Sequence, residues 1–568
     1  MSFPPHDLLK VAYWKKHYDI SKLPKFLQNT ITGKAIEEHH DKWISDRLAA
    51  CIARLFFDGT EFIDGDLDGG TLFFIPVYEN KDCQNGVIKW DSAKRKELQE
   101  KLFKIYEEEY KKGGKNWEKI ANNKVNKELM YFPADTWTPF VSLMAHHAIT
   151  YILHTPDEGY IKHWIEEIAP KKGEIPELIL LFIGIPEIEV YRLKELRKFH
   201  SIRKYTLKII RRLLSKLNIR SIKIGDEVIT LVVNYKIRDK PLLESIINEI
   251  IRSNIRCTLR IISIPIKKEI SEKRRKSYWI IADKPIINSY TVGTSLESGF
   301  EVGRAEWAKH LEAKEVAWIC IKPKGNIITC CEEFIKNYAI EIMDKIAQKY
   351  GFEFSKKIEP KFLASPDLML TIIQDYHKFL NDVRSYLHLD SSILMSFSKS
   401  LFIVSIHDRS KAFRIYERLL DIAKNLHISI EISMIVTHSK FPFWKVLELI
   451  DIYSNKFTIY PRGGMPVSLK PEDFKLMKDM IPIVKEIKST VWKEEIVPVS
   501  IKSLEEFEFE LERLSSGSKQ KINQYQKEKI LNFIKELENN HKDESEESKR
   551  KIRYSAFNRL SDFAGEKT

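Results

Sequence analysis

One order of elements occurs twice in this sequence, and no other feature limits the possible folds as much. From about Glu174, ELILLFIGI is an unbroken apolar run of strand length and predicts a buried strand. EVYRLKELRKFHSIRKYTLKIIRRLLSKL follows with the spacing of a long amphipathic helix. SIKIGDEVITLVV supplies two strands that turn at Gly225-Asp226, LLESIINEIIRS a helix, and IRCTLRIISIPI a closing strand. This β-α-β-β-α-β order is that of a ferredoxin-like unit. It then recurs, with VAWICIKPKG as a strand, FIKNYAIEIMDKIAQKYG as a helix and SILMSFSKSLFIVSI as a hairpin. KAFRIYERLLDIAKNL and ISIEISMIVTHS complete the second unit, and a helix beginning at Phe441-Pro442 follows.

The flanks differ. Residues 1–170 are expected to be all-helical: AIEEHHDKWISDRLAACIARLFF puts Ile36, Ile44, Leu48, Ile52 and Leu55 at helical spacing, and FVSLMAHHAITYILH is a second such segment. Between them, the Lys-rich stretch 80–130 predicts peripheral helix and loop. After Lys470 the chain is helical again, with NNHKDESEESKRKIR so charged that it predicts a solvated turn. The expected architecture is therefore an α+β multidomain chain. Its parts are a helical domain over 1–170, ferredoxin-like units over 171–270 and 313–469, a basic linker or helical insertion over 271–312, and a helical domain over 470–568. A length of 568 residues suits several cores rather than one.

Composition narrows the partners. Lys and Arg number 93 against 80 Asp and Glu, a formal charge of +13 that favours a polyanion such as nucleic acid. The six cysteines form no Cys-x-x-Cys pair, so no zinc finger is expected, and their low number suits a reducing compartment. No apolar run approaches the roughly 20 residues needed to cross a bilayer, so the expected setting is cytoplasmic, away from membranes.

Three His/Asp clusters fall within 1–170. His6-Asp7 can offer an imidazole and a carboxylate to one divalent ion, with Lys10 one helical turn on, where it can approach a phosphate. The competing reading makes Asp7 a helix cap. His39-His40-Asp41 sits on the long helix, where one buried and one exposed histidine is the bland alternative. Asp135 precedes His146-His147, a pair that on a buried helix is more often structural. A metal site gathered across several helices needs such scattered ligands. DGDLDGG opens like a calcium loop, but Ile75 stands where the bidentate Glu belongs, so it reads as a polar turn. A phosphate-binding Gly-rich loop, a nucleophile elbow and the standard RNA-binding signatures are all absent.

A helical His/Asp domain followed by two ferredoxin-like units resembles the large effector subunit of type III and type I-D CRISPR systems. HDLLK resembles that family's N-terminal HD-x-x-K nuclease motif. PADTWTPFVSLMAHH resembles the block that closes its permuted HD domain, with His146 the best match to the ligand histidine and Ala145 where an acidic residue is common. LLFIGIPEIEVYRLKELRKFHSIRKYTLKII resembles the opening of the first palm, with Gly184 in place of Asp and Glu187 in place of Gly. ISIEISMIVTHSKFPFWKVLELIDIYSNK resembles the end of the second palm. The polymerising motif departs from the family. Phe397-Ser398-Lys399-Ser400 replaces Gly-Gly-Asp-Asp, and Lys322-Pro323-Lys324 replaces the partner carboxylate. Lysines there invert the charge that would hold two metal ions, so cyclic oligoadenylate synthesis is expected to be absent.

An HD motif kept and a palm motif lost is similar to the type I-D large subunit. That resemblance implies a crRNA-containing complex, target DNA, a helicase partner and a small subunit derived from the C-terminal region. It also allows anti-CRISPR proteins as ligands. Its metal would be Mn²⁺, Mg²⁺ or another transition metal, held by His6, Asp7, His39 or His40, and His146 or His147, with Asp135 nearby and Lys10 steadying a phosphate. Against this nuclease stands a non-catalytic nucleic-acid-binding scaffold, since His6-Asp7 has few preceding residues to shield it. A nucleotide phosphohydrolase would leave the duplicated units unexplained.

Overall fold

The computed structural model describes residues 3–564 apart from 14–16, 43–44, 47–48, 50–62, 65–69, 80, 135–137, 155–162, 185–195, 218, 235–238, 254, 256, 272–275, 282, 293–314, 351–364, 389–393, 408, 440, 442, 461–466 and 517–519. The chain is α+β.

In the N-terminal part, helix α1 (Ile31–Lys42) is followed by strands β1 (Ile63–Asp64), β2 (Thr71–Phe74) and β3 (Ile88–Trp90). Helices α2 (Ser92–Lys111), α3 (Trp117–Glu128) and α4 (Leu143–Leu153) come next. The three strands form an antiparallel sheet, Ile63 opposite Leu72 and Phe73 opposite Lys89, so this part is not all-helical as expected. TLFFIPV is apolar but stops at Pro76 after strand length, and Leu72, Phe73 and Phe74 are all buried. Nor is 80–130 peripheral. The Asp91 side chain caps α2 by accepting from Lys94 N at 2.9 Å, and Leu98, Leu102 and Tyr106 bury one stripe of it. Arg95, fully buried, donates to the Val11 and Gly70 carbonyls at 2.8 and 3.1 Å.

Strands β4 (Glu177–Gly184), β5 (Ile222–Ile224), β6 (Glu227–Asn234) and β7 (Cys257–Ser271) carry helices α5 (Leu196–Lys216) and α6 (Asp239–Arg252) between them. Their sheet order β5-β6-β4-β7, with every neighbour antiparallel, is the split β-α-β arrangement. The expected linker is instead sheet. β8 (Lys276–Ile281) and β9 (Ile286–Val292) both pair with β7, because KSYWII and IINSYTV are rich in β-branched and aromatic residues. Residues 293–312 lie outside the described residues.

The second sheet repeats the order. It comprises β10 (Glu315–Pro323), β11 (Leu394–Met395), β12 (Ser400–Ile406), β13 (Ile430–His438), β14 (Phe457–Ile459) and β15 (Val467–Leu469). They are arranged β11-β12-β10-β13-β14-β15. Helices α7 (Ile327–Phe334) and α8 (Ile340–Tyr350) precede α9 (Pro366–Tyr386), a helix absent from the expected order. Ser365 caps α9, accepting from Leu368 N at 3.1 Å, and Pro366 occupies its first turn. Helix α9 is buried on nearly every side and contacts α4, β5 and α7. Helix α10 (Arg409–Ala423) also packs on it, and α11 (Phe443–Ile452) covers the far face of the sheet.

Helices α12 (Pro471–Glu486), α13 (Leu504–Ser515), α14 (Gln524–Asn540) and α15 (Glu546–Ala564) close the chain. The expected solvated turn is mostly α15. Its charges pair along the helix, Lys549 with Glu546 at 3.0 Å, and the Phe557 ring stacks on Trp492 at 5.3 Å. His541, before α15, is buried against Asp473 at 2.8 Å. No described helix is long and apolar enough to cross a membrane.

Buried Asp375 on α9 fastens the N-terminal part to the rest. Its Oδ2 accepts from Val77 N at 2.8 Å and Tyr78 N at 3.2 Å, and burial pushes its pKa from 3.8 up to about 7. Because the folded pKa lies above the unfolded one, the folded state binds more protons between about pH 4 and 7. The stability this group contributes therefore falls as pH rises through that window. Asp375→Asn, whose Oδ1 can accept the same two bonds, is expected to melt near the parent at pH 5 and above it at pH 8. A thermal midpoint below the parent's at pH 8 would contradict this.

Candidate metal centre

Pro4 and Pro5 fix the backbone before a turn in which His6 N bonds the Pro4 carbonyl and Leu8 N the Pro5 carbonyl, each at 3.0 Å. Phe3, Leu8, Leu9 and Val11 are buried around it, so the turn is clamped from both sides. His6 and Asp7 are 1% and 2% exposed, and the shielding that their position in the sequence puts in question is supplied by the fold. Asp7 precedes a short 3-10 turn without capping it: its side chain makes no capping bond and faces inward.

Helix α4 brings the second histidine. Ser142 caps it, accepting from Ala145 N at 3.0 Å, and sets His146 and His147 about 100° apart around the axis. His146 Nε2 lies 2.9 Å from Asp46 Oδ1 and 3.8 Å from Asp7 Oδ2, while His6 Nε2 lies 3.0 Å from the same Asp46 oxygen. One ligand atom from each of His6, Asp7, Asp46 and His146 falls within 4.8 Å of the other three. Around an ion with bonds of about 2.1 Å, neighbouring octahedral ligands stand about 3 Å apart. The separations of His6 and His146 from Asp46 match this, and the 3.8 Å between His146 and Asp7 closes with a shift of about 0.8 Å. Two imidazoles and two carboxylates suit Mn²⁺, Zn²⁺ or a neighbouring transition ion better than Ca²⁺.

His147 is engaged elsewhere. Its Nε2 accepts the Asp7 backbone N–H at 3.2 Å, and Nδ1 faces Asn126 Oδ1 at 3.4 Å, which leaves no lone pair for a cation. Burial, with His6 nearby, holds its pKa well below the ordinary value, in keeping with a neutral ring. Of the pair, then, His146 faces the cluster and His147 positions Asp7. Burial opposes the Asp46 carboxylate, but hydrogen bonds from His146 and His6 outweigh it and leave its pKa well below normal. Burial likewise disfavours a charged His146, and the Asp46 bond overrides it to raise the pKa. Behind His146, buried Asp367 on α9 stands 4.0 Å from Nδ1.

Lys10 Nζ donates to the Ala134 carbonyl at 2.6 Å and lies 3.5 Å from Asp7 Oδ2. His17 Nε2 stands 3.5 Å from the other Asp7 oxygen. Asp135 lies outside the described residues, as do the side chains of His39 and His40. Asp46 and His17 escaped sequence reasoning, and no signal there marks them: one Asp on a charged helix looks like any solvated residue. His6, alone of the four, also lines a cavity of about 290 Å³ whose wall includes Lys34, Glu38, Tyr151, His154 and Arg220.

The second sheet places the residues that stand for the polymerising motif at one end of two adjacent strands. Ile321 pairs with Ser400, and the same register sets Lys322 opposite Lys399. Each lysine has its own carboxylate, Lys322 with Glu431 at 3.2 Å and Lys399 with Asp451 at 3.1 Å. Ser398 Oγ lies 3.0 Å from Ser396 Oγ, Ser400 Oγ donates to the Ser396 carbonyl at 2.9 Å, and Lys324 N bonds the Ser429 carbonyl. In the first sheet, Gly184 ends β4 beside Thr258 and Glu227. The Gly225-Asp226 turn meets β11 directly. Asp226 N donates to the Met395 carbonyl at 3.0 Å, and Met395 N donates to Asp226 Oδ2 at 2.9 Å. Gly225, at φ +55°, has no room for a Cβ between His377 and the Met395 carbonyl.

Fold and site together define an α+β protein with two split β-α-β sheets and a buried His/Asp cluster fit for a divalent cation. No protein-family model and no curated protein matches the sequence. Among solved structures, a chain of the Csm1–Csm4 subcomplex of the type III-A CRISPR-Csm interference complex is similar, with a TM-score of 0.48 and 9% identity over 98% of this chain and 95% of that one. Csm1 of T. onnurineus gives a TM-score of 0.47 and 9% identity over 92% and 87%. A Csm1–Csm4 cassette in complex with cA4 gives 0.43 and 9% over 87% and 85%. At such identities these likenesses carry no residue correspondences.

Asp46→Asn is expected to weaken Mn²⁺ binding at least roughly tenfold by titration calorimetry while leaving the thermal midpoint within a few degrees of the parent. His147→Ala instead strands a buried N–H on Asp7, at a cost of about 1–3 kcal/mol. Its main effect should appear in melting. Unchanged Mn²⁺ affinity in Asp46→Asn would remove Asp46 from the site.

Proposed function

We propose that this chain is the large subunit of a crRNA-guided antiviral CRISPR effector complex of type I-D-like character, and that its N-terminal part cuts single-stranded DNA with a divalent ion. The observation that carries the proposal is the convergence of His6 and Asp7, from the HD-x-x-K segment, with His146, from the segment resembling the block that closes an HD domain. These stretches lie about 140 residues apart, and each resembles an HD-domain segment on its own sequence. Residues 1–170 act as the HD domain, 171–270 and 313–469 as the palms, and 470–568 as the helical region related to the small subunit.

A divalent ion held by this set supplies Lewis acidity toward a phosphate oxygen and a water molecule. Asp7 and Asp46 balance its charge, so the loaded site is close to neutral and still admits an anionic phosphodiester. His6 and His146 bind as neutral rings through Nε2. Lys10 and His147 keep Asp7 turned inward, one through its carboxylate and the other through its backbone. Asp367 supports His146 from behind.

In the second palm, lysine ion pairs stand where metal-binding carboxylates are required, which supports an architectural role without oligoadenylate synthesis. Target DNA, the crRNA-containing subunits, a helicase and anti-CRISPR proteins are the partners this proposal implies.

Single-stranded DNA incubated with the parent protein and Mn²⁺ or Mg²⁺ should be cut, with His6→Ala/Asp7→Ala at least ~100-fold slower. Equal cutting by both, or none by the parent, rejects the nuclease. ATP with Mg²⁺ should give no oligoadenylate, and any such product rejects the inactive palm.

A further inference from the structure

Helix α5 and the segment after it line a cavity of about 770 Å³ beside the N-terminal part. Its wall carries Lys208, Arg211 and Arg212 from α5, Arg220 from the connection and Lys223 from β5, with Tyr151 of α4 opposite; none of the lining residues is acidic. Lys208, Arg211, Arg212 and Lys223 are exposed and have no carboxylate partner among the described residues. Positions 208, 212 and 215 follow a helical i, i+4, i+7 spacing, so α5 turns one cationic face to the cavity while Leu207, Ile210, Leu213 and Leu214 bury the other. Four cations without a carboxylate partner among the described residues, facing one space, are an unfavourable arrangement for a protein alone. A bound polyanion relieves it.

This cavity and the smaller one at the metal cluster share two wall residues, Tyr151 and Arg220. The Arg220 guanidinium lies 4.9 Å over the Tyr151 ring, and Nη1 donates to the Tyr151 carbonyl at 3.4 Å, which fixes the arginine on the boundary between them. Tyr151 lies five residues beyond His146 on α4, so one helix carries both a cluster histidine and part of the wall of the basic cavity. His6 also lines the smaller space.

From this continuity we infer that the basic cavity is a track for the phosphodiester backbone of a single-stranded nucleic acid, which feeds the strand past Arg220 to the His6–Asp7–Asp46–His146 cluster. Lys208, Arg211, Arg212 and Lys223 hold successive phosphates without reading bases, and Arg220 positions the strand at the passage. This inference rests on the proposed nuclease for the strand's destination but not for its binding.

The test uses the full chain and fluorescent oligothymidylate and oligouridylate as probes, titrated over a range of salt. Lys208→Ala/Arg211→Ala/Arg212→Ala should bind at least roughly tenfold more weakly near 0.1 M salt. Its slope of log affinity against log salt should be shallower by about 2, from three cations at ~0.7 each. Arg211→Lys/Arg212→Lys, which keeps the charge, should bind like the parent, and Mn²⁺ affinity should be unchanged in both variants. A triple variant with the parent's affinity and salt slope for both probes overturns the track. Loss of binding without cleavage in any protein leaves the track standing and removes the nuclease. Cleavage lost in His6→Ala/Asp7→Ala but full binding in the triple variant does the reverse.

Discussion

Helix α9 passes through the middle of the molecule with almost no exposed side, and the other parts are positioned by what it presents along its length. Its first turn sets Asp367 behind His146 of the metal cluster. One turn on, Thr371 Oγ1 accepts from Ser142 N at the start of α4. Asp375 then binds the backbone of Val77 and Tyr78, Tyr376 donates to the Ile321 carbonyl of β10, and His377 fills the space that Gly225 leaves open. A buried helix with this many polar side chains is costly unless each meets a partner. Thr371, Asp375 and Tyr376 meet such partners, and their bonds fix α4, the Val77-Tyr78 backbone and β10 relative to α9.

The two candidate centres of charge follow opposite logics. At the N-terminal cluster, two carboxylates and two imidazoles converge in a buried space, an arrangement that favours a cation. At the second sheet, the cations Lys322 and Lys399 are each neutralised within the chain, by Glu431 and Asp451. Of the first centre, His6 lines a cavity, while beside the second, Met395 of β11 is tied to the first sheet through Asp226. A cation-binding cluster and a lysine-bearing sheet thus lie apart along the chain.

Much of this was legible from the sequence. The doubled β-α-β-β-α-β order appears in both sheets because each strand is a short apolar run bounded by a helix of different period, and that contrast needs no tertiary information. His6, Asp7 and His146 were visible as His/Asp clusters, and His146 was preferred over His147 on family resemblance. The three-stranded sheet, the strands after Ser271 and the last helix were misread. TLFF is too short for periodicity to decide, and the basic residues flanking β8 mask its β-branched core. The pairing that makes Glu546–Ala564 a helix depends on Trp492, which lies far away in sequence.

The sequence by itself determined the duplicated fold, the presence of lysines at 322, 324 and 399 of the second sheet and a histidine-aspartate pair able to bind a cation. These depend on residue type and local spacing alone. Only the tertiary structure decided that Asp46 joins His6 and His146, that His147 does not, and that Arg220 and Tyr151 border both the cationic cavity and the one that His6 lines. The reason is physical: a ligand set is defined by where lone pairs converge in space, and residues 40 to 140 positions apart acquire that relation only when helices pack. The direction of a histidine's lone pair, toward an ion or toward a backbone N–H, is written in the packing and nowhere in the sequence.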